Sequence, residues 1–328
     1  MENVPFVSVV LPCRNEEKYI KNCLLSLIHQ DLGKDNYEII LVDGLSEDKT
    51  LTITKETTKE FENIRIFTNH KKVTPYAMSI GAQNAKGDII VMVLGHAIFP
   101  HDFLSNGLRL FEKFPDASCV GGPITSVGEN AFATAIALAM SSKIGIGNAN
   151  HRFPGYEGPA EMACFPFYKK EVFEQLGYYD ERFIRNQDDE FAFRVTKSGR
   201  KIYISPTVQS KYIVRNTPKK LFKQYYGYGY FKWLGYKKHK KFISVRHIIP
   251  SVFLLFNLLN IIFSFIFSNI FIFLLPFFSY LLIIFIFSIR HIKKGIKTVF
   301  AFSLAVIILH FSYGYGFIKS LLTNKNNF

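Results

Sequence analysis

The second part of this 328-residue sequence contains no acidic residue. All 26 Asp and Glu residues lie at or before Glu190, whereas residues 191–328 carry 21 Lys and Arg and no carboxylate. A soluble domain with a mixed-charge surface rarely divides its charge in this way. The division predicts a mixed-charge catalytic body up to Glu190 and then a segment that meets an anionic partner or enters a membrane.

Charge of either sign is missing from residues 248–289, a run of 42 positions. A membrane-spanning helix needs only about 20 such residues, so the run predicts a transmembrane hairpin over residues 247–289, with its turn at Ser268-Asn269. Residues 298–322 are also apolar, although polar residues and glycines interrupt them, and they predict a third span. A buried helix of a soluble core is the alternative, but such a core does not need so long an uncharged run.

The flanks of the hairpin predict its orientation. Lys and Arg cluster at residues 237–246 and 290–297, and the positive-inside rule places both clusters in the cytoplasm. The first apolar run of the chain is too short for the hydrophobic region of a signal peptide. We therefore expect a multi-pass protein of the cell membrane whose catalytic domain lies in the cytoplasm.

Several motifs of other protein classes are also absent. The four cysteines show no C-x-x-C pair and no metal-ligand spacing, which predicts reduced and mostly buried thiols in a cytosolic domain. No G-x-G-x-x-G follows the first strand, and no G-x-x-x-x-G-K-[ST] occurs anywhere. Their absence argues against dinucleotide oxidoreductases and P-loop enzymes.

The first hundred residues alternate short apolar strands with helices. Strands are expected at residues 6–11, 37–42, 64–67 and 89–94. Because these strands are apolar on both faces, they predict a parallel sheet covered by helices, with ligands at the carboxyl ends of the strands. Pro12–Asn15, Asp43–Ser46 and Leu94–His96 follow three of the strands, so we expect them to converge on one crevice. Further along, the pattern predicts a strand at residues 118–127 and one helix at residues 131–146.

Acids beyond strand ends have two interpretations. Asp43 or Glu16 can accept hydrogen bonds from a base edge or from ribose hydroxyls, and the small Gly44 lets a ligand approach the backbone. Helix capping is the alternative, and it is the favoured interpretation for Ser46 and Asp48.

Three consecutive carboxylates, Asp188, Asp189 and Glu190, open another predicted helix. One acid at a helix start is explained by the helix dipole and by capping of free N–H groups. Repulsion among three must be offset by a cation, a substrate or a raised proton affinity, so the cluster indicates a functional site.

Four stretches together resemble a known family: VSVVLPCRNEEKYIKNCLLSLIHQ, YEIILVDGLSEDKT, TPYAMSIGAQNAKGDIIVMVLGHA and FIRNQDDEFAFRVTKSGRKIYISP. In this order they resemble the family 2 inverting glycosyltransferases of the GT-A fold. The most similar subgroup is the membrane-associated succinoglycan glucosyltransferase type, whose tail carries a phrase similar to HFSYGYGFIK. The resemblance covers nearly the whole chain.

The resemblance implies an α/β protein with a Rossmann-like, mostly parallel GT-A catalytic domain followed by C-terminal transmembrane helices. The expected domains are the GT-A domain at residues 1–215, a basic aromatic interfacial segment at residues 216–246, the hairpin at residues 247–289 and the third span at residues 298–322.

Site residues follow from the same resemblance, position by position. The nucleotide-sugar-binding positions fall on Pro12, Arg14, Glu16, Asp43 and Gly95. The catalytic base of the family falls on Asp188, where Gln187 replaces the usual preceding Glu. The acceptor side falls on Asp189, Glu190 and Gln224.

The chain departs from the family at the metal motif. This subgroup has Asp-Gly-His-Ala after the fourth strand, whereas the chain has Leu94-Gly95-His96-Ala97, so only His96 remains to bind a metal. A divalent cation on a diphosphate takes few protein ligands, and one His suits Mn²⁺ better than Mg²⁺, which prefers oxygen. The alternative is that His96 is a loop histidine without a metal and that the domain is impaired.

Residues 218–233 interleave Lys with Tyr, Phe and Trp. Such a segment can stack nucleic-acid bases, but its position before an apolar run favours a helix at a membrane surface and excludes nucleic acid as the expected partner. We therefore expect inverting transfer of a sugar from a nucleotide-sugar, expected to be UDP-linked, to a polyprenyl-linked or saccharide acceptor in polysaccharide biosynthesis. The rival hypothesis is a non-catalytic membrane protein that binds a nucleotide-sugar or a partner enzyme. Leu94 supports this rival, and Asp188 opposes it.

Overall fold

The computed structural model describes residues 5–153, 155–241 and 244–323. The chain divides into two compact units, Met1–Thr125 with Asn150–Tyr212, and Ser126–Ala149 with Ile213–Phe328. Of the residues expected to form the GT-A domain, 1–215, residues 126–149 and 213–215 lie in the second unit, and the domain boundaries stay a prediction.

The described residues form eleven strands. They are β1 (Val7–Cys13), β2 (Tyr37–Asp43), β3 (Ile64–Thr68), β4 (Ile89–Met92), β5 (Ala97–Ile98), β6 (Ala117–Gly122), β7 (Thr125–Val127), β8 (Gly158–Pro159), β9 (Cys164–Lys169), β10 (Lys201–Ile204) and β11 (Lys211–Ile213). Eight strands form one sheet in the order β3-β2-β1-β4-β9-β6-β10-β8, and the small sheet has the order β5-β11-β7.

The first four strands of the large sheet pair in parallel, as predicted. β9 runs antiparallel between β4 and β6, so the sheet is mixed at its centre. The expected strand at residues 118–127 is instead two strands, because Pro123-Ile124 separates β6 from β7. The α/β class with a mainly parallel sheet is confirmed.

Pro12 lies inside β1, although it was expected to end the strand. The carbonyl of Val10 accepts a hydrogen bond from Val93, so Val10 faces β4, and Pro12, two residues later, faces the same side. Pairing of β1 with β4 ends at Val10 opposite Met92. The missing N–H of Pro12 therefore leaves no ladder bond unmade, and β1 continues to Cys13 beside β2.

Twelve α-helices accompany the strands in the described part of the chain. They are α1 (Ile20–Ile28), α2 (Thr50–Thr57), α3 (Thr74–Gln83), α4 (Phe103–Lys113), α5 (Ala131–Met140), α6 (Lys143–Ile146), α7 (Lys170–Leu176), α8 (Gln187–Lys197), α9 (Pro218–His239), α10 (Val245–Ile266), α11 (Phe271–Ile289) and α12 (Ile296–Leu322). In the first unit, α3 packs on β1 and β2, and α8 packs on β10. The helix expected at residues 131–146 breaks at Ser141-Ser142, where the Ser142 hydroxyl caps α6.

The second unit is organised around α12, which packs against α5, α9, α10 and α11. Glycines bring α9 and α12 together. A Cβ atom on Gly316 would lie 2.0 Å from the carbonyl oxygen of Tyr226, and one on Gly229 would lie 2.0 Å from that of Tyr313. The two Tyr-Gly-Tyr-Gly sequences thus pack reciprocally, and the rings of Tyr226 and Tyr315 meet at 5.5 Å.

Two of the described helices are long and apolar enough to cross a membrane, α10 with a mean hydropathy of 2.1 and α12 with 1.7. In α11 the apolar stretch is Leu274–Ile289, which is shorter than α10 and α12. Large apolar side chains face outward on α10 and α11, including Phe265, which is 79% exposed, and Leu275, which is 72% exposed. A continuous apolar surface of this kind is typical of a membrane or protein contact.

We expect Gly316→Ala to destabilise the second unit, because the new methyl group would overlap the α9 backbone. Overpacking of this kind costs typically about 1–3 kcal/mol. Thermal unfolding of the detergent-purified protein measures the effect. Gly155→Ala is the control, since a Cβ there meets nothing within 4 Å. Equal melting temperatures for the two variants would contradict the packing.

Candidate active site

The loops after β1 and β2 are joined by hydrogen bonds through Ser46. Its hydroxyl accepts from the backbone N–H of Asn15 at 3.0 Å and donates to Asp43 Oδ1 at 2.5 Å. The side-chain oxygen of Asn15 in turn accepts from the backbone N–H of Glu47 at 2.9 Å. Ser46 does not cap α2, so that expectation was wrong, whereas Asp48 does accept from the N–H of Thr50 at the start of α2.

Asp43 ends β2 with its side chain buried. Besides the Ser46 hydroxyl, its carboxylate accepts the backbone N–H of Ser46 at 3.0 Å, so the loop that it opens also holds it. Cys13 lies opposite Asp43 in the pairing of β1 with β2. Burial and the charge of Asp43 raise the pKa of the Cys13 thiol well above its usual range, so this thiol stays protonated.

Left-handed backbone occurs at two non-glycine residues in these loops, Asn15 with φ 55° and Leu45 with φ 56°. Asn tolerates this conformation, but Leu seldom adopts it, and strained residues of this kind cluster at binding sites. Leu45 is also exposed beside the buried Asp43. Sequence reasoning missed Leu45, because nothing in a leucine signals a positive φ.

The loop after β4 joins the same site through His96 and Glu16. The imidazole Nδ1 lies 2.9 Å from Glu16 Oε1, and Gly95 lies against the Glu16 side chain. The three strand-end loops therefore meet, as their positions in the sequence predicted. Arg14 lies at the exposed rim, where it pairs with Glu47 at 3.6 Å.

Leu94 packs against the core cluster of the first unit and is partly buried. Its carbonyl accepts from the backbone N–H of Ala97 at 3.1 Å. These contacts give Leu94 an apolar packing role. An aspartate here would place an unpaired charge against apolar neighbours.

A cation could be held at this site by one protein atom. His96 Nε2 is buried and has no hydrogen-bond partner in the described part of the chain. No group of three or more His, Cys, Asp or Glu placed to hold a metal occurs among the described residues. The residues thus fit an ion that takes one imidazole nitrogen and completes its shell with diphosphate oxygens and water, rather than a cage built by protein alone.

Asp188 is the second residue of α8, a helix that begins directly after Asn186, whose backbone is left-handed with φ 59°. Its Oδ1 accepts the backbone N–H of Asp189 at 2.9 Å. Burial and then the charge of Asp189 raise the pKa of the Asp188 carboxyl, while Arg152 acts in the opposite direction. A carboxylate with raised proton affinity is suited to take a proton as a general base.

Asp188 interacts electrostatically with the start of β9. Its charge helps raise the pKa of the Cys164 thiol to about 11, although desolvation by burial is the larger cause. Cys164 begins β9, which runs antiparallel to β4. The first residue of β9 therefore lies beyond the carboxyl end of β4, where the Leu94–His96 loop begins.

The other two carboxylates of the cluster differ in their surroundings. Glu190 is fully buried and forms an ion pair with Arg194 at 3.2 Å. Arg194 also donates to the carbonyl oxygens of Leu176 at 2.7 Å and Tyr178 at 2.6 Å, so this pair holds the loop after α7. Asp189 is partly exposed, as Asp188 is. A role of Asp189 or Glu190 toward the acceptor stays a prediction.

Gln224 and Arg152 lie on other parts of the chain. Gln224 lies on α9 in the second unit, where it is buried and donates to the Tyr228 hydroxyl at 2.9 Å. Its role toward phosphates stays a prediction. Arg152, whose charge acts on Asp188, was missed, because no motif marks a residue 36 positions upstream of Asp188.

Residues 8–177 match the model of the family described as glycosyl transferase family 2, which is more than half of the chain. The chain belongs to glycosyl transferase family 2. It is therefore a glycosyltransferase, and the resemblance found in its motifs is confirmed.

This glycosyltransferase is similar to curated relatives over most of its length. It is 33% identical to a dolichyl N-acetyl-alpha-D-glucosaminyl phosphate 3-beta-D-2,3-diacetamido-2,3-dideoxy-beta-D-glucuronosyltransferase of Methanococcus voltae, over 98% of this chain and 99% of that protein. It is 28% identical to the succinoglycan biosynthesis protein ExoA of Rhizobium meliloti, strain 1021, over 74% and 73%. In fold it is similar to the mannosyltransferase PcManGT from Pyrobaculum calidifontis, solved with GDP-Man and Mn²⁺, with a TM-score of 0.62, 15% identity and coverage of 99% and 89%.

We expect Asp188→Asn to raise the melting temperature of this glycosyltransferase at neutral and alkaline pH. A carboxyl whose pKa is raised by folding costs stability once pH rises through that folded-state value, and the neutral amide removes this cost. At acidic pH, where Asp188 is protonated, the difference should vanish. Melting curves across pH measure it, with exposed Asp35→Asn as the control. An Asn variant that melts lower at every pH would contradict the assigned cause.

Asp189→Asn should move the acidic limb of the pH–activity profile to lower pH. Transfer by a general base is lost as pH falls through the pKa of Asp188, and the charge of Asp189 helps raise that pKa. Glycosyl transfer measured at saturating donor across pH tests this. A limb that stays in place, or moves to higher pH, would show that Asp189 does not act on the base.

Proposed function

We propose that this glycosyltransferase transfers a sugar, with inversion, from a nucleotide-sugar to a hydroxyl of a lipid-linked acceptor at a membrane. One observation supports the proposal: the three strand-end loops meet, and the Asp188 carboxyl interacts electrostatically with Cys164, which lies beyond the carboxyl end of β4 in the first unit. Ligands of open α/β sheets bind at the carboxyl ends of the strands.

The chemistry follows from the properties of Asp188. The acceptor oxygen forms a bond to the anomeric carbon as the bond from that carbon to the diphosphate breaks, and the acceptor proton passes to the Asp188 carboxylate. Burial raises the pKa of this carboxyl, which strengthens it as a base. A single displacement on the face opposite the diphosphate inverts the anomeric configuration.

The donor would bind at the joined loops. Asp43 and Ser46 would present oxygens to the base or the ribose. Gly44 lies against Arg14 and Gly95 against Glu16, and Pro12 lies near the end of β1, so these residues would bind the rest of the donor. A divalent cation bound at His96 would neutralise charge on the leaving diphosphate. Nε2 of His96, which has no hydrogen-bond partner among the described residues, is the atom that would bind this ion. UDP is the expected nucleotide.

A membrane location for the acceptor is supported by the second unit. Its helices α10 and α12 have the length and hydropathy of membrane spans. Ahead of α10, helix α9 exposes Lys219, Lys220 and Lys223 together with Phe222, a combination that suits anionic headgroups at an interface. We propose a multi-pass arrangement with the catalytic unit in the cytoplasm. The Methanococcus voltae relative, named for a dolichyl-linked N-acetylglucosaminyl phosphate acceptor, supports a polyprenyl-linked one here.

We expect labelled sugar to pass from one nucleotide-sugar of a UDP- and GDP-linked panel to a polyprenyl-linked acceptor when the full-length protein is placed in lipid nanodiscs. Asp188→Asn should lower the rate by about 10²- to 10⁴-fold while nucleotide binding persists, because the amide keeps the shape of the side chain but takes no proton. Asp35→Asn should leave the rate unchanged.

Wild-type turnover by the Asp188→Asn variant would refute the assigned base. Binding of nucleotide without transfer from any donor would instead favour the rival hypothesis of a non-catalytic binding protein, which Leu94 supports.

A further inference from the structure

Glu16 and His96 form a hydrogen-bonded pair between the loops after β1 and β4. Nδ1 of His96 and Oε1 of Glu16 are 2.9 Å apart, and their side chains are only 11% and 20% exposed. The backbone of Glu16 is also held in place, since its N–H donates to the Thr50 hydroxyl at 2.8 Å. Glu16 therefore has a fixed partner on the protein, beyond the nucleotide contact expected from the sequence.

Chemistry assigns the direction of this hydrogen bond. An ionised carboxylate can only accept, so Nδ1 of His96 carries the hydrogen and donates it to Glu16. The lone pair of the imidazole then lies on Nε2, the buried nitrogen that has no hydrogen-bond partner among the described residues. The ring of Tyr212 packs on the imidazole with centroids 5.1 Å apart, which restricts its rotation.

The pair also bears on the change at Leu94. An apolar side chain occupies this strand end and supplies no charge to the site. A carboxylate that accepts Nδ1–H raises the basicity of a metal-binding imidazole and fixes its orientation. Leu94 brings no negative charge to the site. Glu16 supplies negative charge next to the imidazole instead.

We propose that Glu16 is a positioning residue, which holds His96 with Nε2 as the single protein donor to the divalent cation of the nucleotide-diphosphate. This proposal rests on the proposed function, because it names the cation site of that reaction. Glu16 would act on the ion only through His96.

Two measurements on the full-length protein test the role of Glu16. Nitrogen NMR of histidine-labelled protein reports which nitrogen of His96 carries hydrogen, with His96→Gln used for assignment. Electron paramagnetic resonance titration of Mn²⁺ in the presence of UDP reports affinity for the ion without any turnover. The matched control is Glu17→Gln, which makes the same change at the exposed neighbour, whose carboxylate accepts from the backbone N–H of Lys49 at 3.1 Å.

We expect the wild type to show hydrogen on Nδ1, and Glu16→Gln to weaken Mn²⁺ binding by about 10- to 100-fold, the usual effect of losing such a partner. Glu17→Gln should bind Mn²⁺ as the wild type does. Hydrogen on Nε2 in the wild type, no Mn²⁺ binding by the wild type, or equal affinity in the two Gln variants would each overturn the proposal. Sugar transfer that persists in chelator and depends on Asp188 would leave the proposed function intact while this inference fails.

Discussion

The hydrogen bonds of Ser46 hold together the part of the molecule on which its chemistry depends. Asp43 is buried at the end of β2, and a buried carboxylate is costly unless donors reach it. Ser46 supplies two of these donors and also accepts from Asn15 in the neighbouring loop. Losing a hydrogen bond to a buried polar group costs about 1–3 kcal/mol, so Ser46 stabilises the buried Asp43 carboxylate. Ser46 also joins the two loops that would bind the nucleotide-sugar.

Unlike Asp43, Asp188 lies in surroundings that disfavour its charged form. Its carboxyl is desolvated and lies beside Asp189, and both effects favour the protonated form. The N-terminus of α8 and the charge of Arg152 favour the ionised form. The carboxyl therefore keeps a high affinity for a proton, which a general base requires. Glu190 differs in this respect, because its pairing with Arg194 serves to hold the loop after α7.

The fold was largely predictable from the sequence, whereas details of the site were not. Strands apolar on both faces can only be buried in a covered sheet, and the loops at their carboxyl ends must then meet. The bond between Ser46 and Asn15, the left-handed Leu45 and the influence of Arg152 on Asp188 depend on contacts between segments distant in sequence. Local propensity carries no information on such contacts. The antiparallel β9 was hidden for the same reason.

The stereochemistry of transfer tests the central claim most directly. A single base at Asp188, acting on a donor bound at the joined loops, requires one displacement at the anomeric carbon. Proton NMR of the glycosidic product measures its anomeric configuration, to be compared with that of the nucleotide-sugar consumed. An α-linked donor should give a β-linked product. A product that retains the α configuration would contradict the claim, because retention requires a second displacement or a different catalytic arrangement.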